Sequence, residues 1–218
     1  MSAHCCGHGH EHASAAAASP VYQRVLWVAL AVNLAMFVVE IGAGLAAESV
    51  SLLADSLDFL GDAGNYAISL FVLGMALHWR ARASLVKAAS MAAFGTWVTV
   101  TTIGHAIAGT MPEAPVMGVV GALALAANFS VALLLYRWRN GDSNMRSVWI
   151  CTRNDAIGNL AVLAAALGVF GSGSGWPDYL VAAIMSGLAL VGAVQVTRAA
   201  LAELRHARES GPQAVGSL

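Results

Sequence analysis

The sequence predicts an all-α fold, a bundle of six membrane-spanning helices. Three observations carry that expectation. Of the 218 residues, 58% are apolar and only 11% charged, with a mean hydropathy of +0.69, whereas soluble domains sit nearer half apolar and a quarter charged. The apolar residues fall into six long runs. Each is long enough for a helix, rising about 1.5 Å per residue, to cross a hydrocarbon core about 30 Å thick. No run alternates with period two, so a barrel is not indicated, and in lipid the remaining way to satisfy the backbone is a closed helix.

The runs lie at about 21–46, 50–77, 86–109, 115–137, 146–170 and 178–199. The chain divides accordingly into a flexible His/Cys-rich tail (1–20), a six-span transport domain (21–200) and a short C-terminal tail (201–218). The first run does not read as a signal peptide: His and Ala, rather than Lys or Arg, precede it, and it is too long. A net charge of -1, from 11 basic and 12 acidic residues, excludes nucleic-acid binding by bulk charge. Three cysteines do not make a disulfide framework.

Orientation follows from the basic residues. Arg24 precedes the first span; Arg80, Arg82 and Lys87 lie between spans 2 and 3; Arg137, Arg139 and Arg146 between spans 4 and 5; Arg198, Arg205 and Arg208 after span 6. The other three loops carry Glu48, Glu113 and Asp178 and no base. Ten of the eleven bases thus share one side with both termini, which the positive-inside rule makes cytoplasmic, in a plasma or bacterial inner membrane.

An ionisable residue in mid-membrane costs several kcal/mol and marks function. Span 2 reads SVSLLADSLDFLGDAGNYAISL and places Asp55, Asp58 and Asp62 within about 60° of helical arc, with Asn65 on the same face. Span 5 reads NMRSVWICTRNDAIGNLAVL; Cys151 and Asp155 are four apart, beside Asn154. Counting about 1.5 Å per residue from each span's entry puts Asp62 level with Cys151, and Asp58 level with Asp155. Carboxylates this close repel unless protonated or joined by a cation. One reading is a protonated carboxylate cluster gluing helices together. The other is a divalent metal, with a donor set that suits tetrahedral Zn²⁺ and a thiol that turns the choice away from Mg²⁺ and Ca²⁺.

ESVSLLADSLDFLGD, NMRSVWICTRNDAIG and, in span 1, NLAMFVVEIGAGL resemble the signatures of the cation diffusion facilitators. The resemblance implies a six-helix transmembrane domain that exchanges metal for protons, with no enzymatic activity. It implies a transport site of an (H/D)-x-x-x-D pair on each of two helices. Asp58 and Asp62 match the span-2 pair, and Asp155 the last position of the span-5 pair. Cys151 stands where the family has His or Asp, which opens the fourth ligand to Asn154 as a substitute. The expected cargo is Zn²⁺, with Cd²⁺, Co²⁺ and Fe²⁺ behind it, and no prosthetic group is implied. The resemblance also implies a homodimer, in a form lacking the family's C-terminal cytoplasmic domain.

The tail His4, Cys5, Cys6, His8, His10 and His12 offers soft or borderline metal donors for delivery or sensing. Glu40 and Arg153 are further intramembrane charges, with Arg153 expected to pair with Glu40 or Asp55. Asn33, Asn128 and Asn159 are expected to hydrogen-bond between helices, Gly42, Gly44, Gly187 and Gly192 to allow close helix approach, and the GSGSG run before Trp176 to form a flexible loop. His105 reads as an interfacial residue, and Trp79, Trp138 and Trp176 as interfacial anchors. Competing functions are an intramembrane aspartyl protease using Asp62 and Asp155, which lacks a G-x-G-D motif here, and a non-transporting metal sensor.

Overall fold

The computed structural model describes residues 20–71, 77–138 and 143–209, excluding the side chains of 71, 77, 78, 80, 138, 143–154 and 206–209. Within it the chain forms α1 (Pro20–Ala46), α2 (Val50–Phe71), α3 (Leu77–Ala108), α4 (Ala114–Leu135), α5 (Ser143–Ser172) and α6 (Trp176–Glu209), with a short 3-10 turn at Tyr136–Trp138. There is no strand among the described residues. The six-helix expectation is met, but several helices outrun their apolar spans. α3 starts at Leu77 rather than 86, and α6 continues to Glu209 rather than 199. Hydropathy registers only the length in hydrocarbon, whereas backbone hydrogen bonding continues into the polar flanks.

Five of the helices are long and apolar enough to cross a membrane; α2 is not among them. Its 22 residues are long enough, but they carry Asp55, Asp58 and Asp62. The remaining helices supply its environment. α1 and α2 pack together, α4 packs on α5 and α3 on α6, and α2 also touches α3, α5 and α6.

The core around α2 comes in three tiers. Val50, Leu53 and Leu57 pack with Val98, Met117, Val162 and Ala182 of the other helices. Phe59 packs with Met36 and Ala124 in the middle. Ala63 and Tyr66 pack with Tyr22, Leu26 and Val131 toward the end that bears the termini. Helix–helix association in lipid rests on such packing rather than on hydrophobic transfer. Gly44 shows its tightness: a Cβ there meets Leu53 Cδ2 at 2.8 Å and Leu53 N at 3.2 Å. Of the other glycines expected at contacts, Gly42 and Gly187 have nothing within 4 Å, and Gly192 makes only an ordinary contact with Met91.

The end away from the termini is tied together by its loops. Asp178 Oδ1 accepts from Ser49 Oγ at 2.7 Å and from Ser51 N–H at 3.0 Å, and its Oδ2 accepts from Val50 N–H at 2.8 Å. Glu113 N–H donates to Ala47 O at 3.0 Å, and the Tyr179 hydroxyl donates to Thr110 O. The α1–α2 turn itself closes with Ser49 N–H donating to Gly44 O at 2.9 Å around Glu48, whose φ is 54°. That is the left-handed helix stop usually filled by glycine. The GSGSG run is not a flexible loop: its first two residues continue α5, and a turn at Gly173 leads directly into α6. Gly173 N–H still makes the last helical bond, to Val169 O at 2.9 Å, and its positive φ of 61° then turns the chain into α6 within three residues.

Candidate metal centre

Asp62 on α2 and Asp155 on α5 face one another within hydrogen-bonding reach. Asp58 stands one turn along α2, and its charge also acts on Asp155. Gly158 makes room for it: a Cβ at Gly158 stands 3.9 Å from Asp58 Oδ2. The two helices are therefore about one turn out of the register counted from span ends, since Asp155 opposes Asp62 and Gly158 opposes Asp58. The count assumed that both helices begin at the membrane surface, and α5 begins at Ser143, a full 30-residue helix. Continued downward, this register brings backbone position 151 near the level of Tyr66.

Tyr66 was not picked out by sequence reasoning. Its hydroxyl donates to Asp62 Oδ2 at 3.2 Å, and its ring is buried. Its signal was the i, i+4 spacing from Asp62, which on a helix stacks the two side chains. Lys87 was also misplaced. Assigned to a loop, it sits instead in the third turn of α3, where its ammonium donates to Asn65 Oδ1 and its charge acts on Asp62.

Among the described side chains, α2 is most continuously buried on the loop-tied side of the acids. Residues 50–57 of α2 are all buried, under the Asp178 tie, and Asp58 is the first residue of the helix with partial exposure. Asn65 and Asp155 are also partly exposed. Among the described residues, the unbroken burial around α2 thus lies on the loop-tied side.

Glu40 does not pair with a base among the described side chains. It faces Asp55 within hydrogen-bonding reach, both residues are fully buried, and among the described residues no other group donates to their four carboxyl oxygens. The expected partner Arg153 has its side chain outside the description, as do Asn154 and the fourth proposed ligand, Cys151; the backbone of all three lies in α5. Tail residues His4, Cys5, Cys6, His8, His10 and His12 likewise lie outside the described residues. Among the described side chains, no three His, Cys, Asp or Glu residues close on one point. For Asn33 and Asn159 the expected inter-helix role is not seen. Asn33 Nδ2 donates within its own helix, to Ala29 O at 2.8 Å, and both amide atoms of buried Asn159 are without a partner. A short amide reaches its own preceding turn more readily than a neighbouring helix. Trp79 and Trp176 are exposed near helix ends, with the Arg82 guanidinium 5.1 Å from the Trp79 ring centre.

A bundle of six helices, five of them long and apolar enough to cross a membrane, defines a multi-pass membrane protein. The sequence profile of the cation efflux transmembrane domain matches residues 26–205, and the chain belongs to that family. It is an integral, multi-pass membrane protein of a family of cation-efflux transporters. No curated protein matches the chain.

Proposed function

We propose that the protein exports a divalent transition metal, Zn²⁺ first, in exchange for protons. The metal binds between α2 and α5 at Asp58, Asp62 and Asp155, with Cys151 as fourth donor. The observation that carries this reading is the apposition of Asp62 and Asp155 inside a cation-efflux bundle. Two facing carboxyls in a low-dielectric interior are stable with a shared proton or with a cation between them, and not as two bare anions. One site therefore serves both ions: protonation releases metal, and metal displaces protons. Tyr66 holds one Asp62 oxygen in place, leaving the other for the ion.

The basic residues support the cytoplasmic placement of the end bearing the termini. Arg24, Arg82, Arg137, Arg198 and Arg205 lie toward that end, while Glu48, Glu113 and Asp178 mark the opposite one. With the unbroken burial on the Asp178 side read as a seal, the site is accessible from the cytoplasm. The His/Cys tail joins α1 at that end, and on this reading it raises local metal concentration at the entrance.

The test is flux in proteoliposomes across Zn²⁺, Cd²⁺, Co²⁺, Mn²⁺ and Fe²⁺, with and without a pH gradient. Asp62→Asn is expected to abolish both metal flux and coupled proton flux while still inserting and folding. Undiminished transport by that variant refutes the site.

A further inference from the structure

Lys87 is the one base whose charge reaches the acids among the described side chains. The bundle is shaped to hold it there. Its stem crosses α2 at Gly64, where a Cβ would lie 3.2 Å from Lys87 Cδ and 3.3 Å from its Cγ. Its head ends on Asn65 Oδ1, three residues from Asp62. The stem lies in an apolar cavity of about 590 Å³, between α1, α2 and α3, lined by Leu30, Leu34, Leu60, Ile68 and Met91. A lysine near the end of a membrane helix ordinarily snorkels its ammonium to the interface. Here it turns inward to a helix carrying three carboxyls. The absent side chain at position 64 and the amide at position 65 make that path.

We propose that Lys87 is a tethered counter-cation of the transport site, which weakens metal binding and so speeds metal release. The proposal rests on the reading of Asp58, Asp62 and Asp155 as the metal site. The physical reasoning is one of charge. When the site is empty and ionised, the ammonium partly offsets its negative charge. When a divalent ion enters, the same ammonium repels it. The attraction to the carboxylates is the same with and without metal, so the repulsion is what opposes occupancy. An exporter needs a site strong enough to load and weak enough to unload, and a fixed positive charge beside the carboxylates sets that balance without occupying a coordination position. Lys87 is thus a positioning charge and not a ligand.

The experiment uses the full chain and Zn²⁺ or Cd²⁺ alone as the probe. Equilibrium binding is measured at a pH alkaline enough that protons do not compete, and initial transport rates are measured in proteoliposomes. Lys87→Gln keeps a donor for Asn65 but loses the charge. It is expected to tighten binding on the order of a hundredfold, the effect of one unit charge on a divalent ion at about 10 Å with an effective dielectric of about 20. It is also expected to lower KM and the maximal rate together. Lys87→Arg keeps the charge and is expected to bind like the wild type. Gly64→Val, which fills the slot under the stem, is expected to follow Lys87→Gln. A Lys87→Gln protein that binds metal as the wild type does, or more weakly, overturns the proposal. Asp62→Asn in the same assay separates the two readings. If it loses binding while Lys87→Gln is unchanged, only the counter-cation is wrong. If it binds as the wild type does, the metal site falls and the counter-cation with it.

Discussion

The carboxylate of Asp178, at the start of α6, caps the N-terminus of α2 through Val50, accepting its backbone N–H at 2.8 Å. Ser49 and Ser51 complete the cap, and Asp178 is fully buried. An anion at a helix N-terminus satisfies free N–H groups and meets the positive end of the helix dipole. α2 is the helix with three aspartates, so this cap fixes the depth at which they stand.

Asp178→Ala leaves buried donors at the start of α2 unsatisfied. It is expected to destabilise the detergent-solubilised protein by about 1–3 kcal/mol. Asp178→Asn, which retains one acceptor, should cost less. Thermal unfolding of both variants checks the ordering; an alanine variant as stable as the wild type would show that the cap contributes nothing.

A second expectation concerns Glu40 and Asp55. Apart from each other, their four oxygens have no partner among the described residues, and one carboxyl of such a pair needs a proton or an amide opposite it. Glu40→Gln supplies an N–H donor to Asp55 and removes one buried acid. Stability is expected to hold or rise, by up to about 2 kcal/mol, and Zn²⁺ binding to stay within about twofold of wild type. Urea or thermal unfolding together with Zn²⁺ titration reads both; a marked loss of stability would mean that the carboxyl of Glu40 is already well satisfied.

The spans were legible because 20-residue apolar runs have no other use in a chain of this composition. Asp58 and Asp62 were legible because a helical period put charges on one face of such a run. What escaped was decided across sequence distance. Asp178 reads as a loop acid, and nothing near it announces a cap on a helix 127 residues earlier. Lys87 reads as a loop base because charged residues end a hydropathy span, while the helix runs on through them. The pairing of Asp62 with Asp155 depends on where α5 begins relative to α2, and a one-turn difference in that start moves every partner by four residues.

That register bears on the remaining ligand. Backbone position 151 lies one turn from Asp155, toward the end bearing the termini, which is the cytoplasmic side under the proposed orientation. Thiolate favours soft ions, and a hydroxyl of similar size does not. Cys151→Ser is therefore expected to lower Cd²⁺ transport more than Zn²⁺ transport, by on the order of tenfold in their ratio of kcat/KM, about 1.4 kcal/mol of lost discrimination. Asp62→Asn, by contrast, should silence both metals alike, because every divalent ion needs that charge. Flux of the two metals through Cys151→Ser, with Asn154→Ala beside it, decides the fourth ligand. A Cd²⁺-selective loss in the serine variant alone places Cys151 on the metal. Equal losses for both metals in the serine variant, with a metal-selective loss in Asn154→Ala, would move the fourth contact to Asn154 and leave Cys151 as packing between helices.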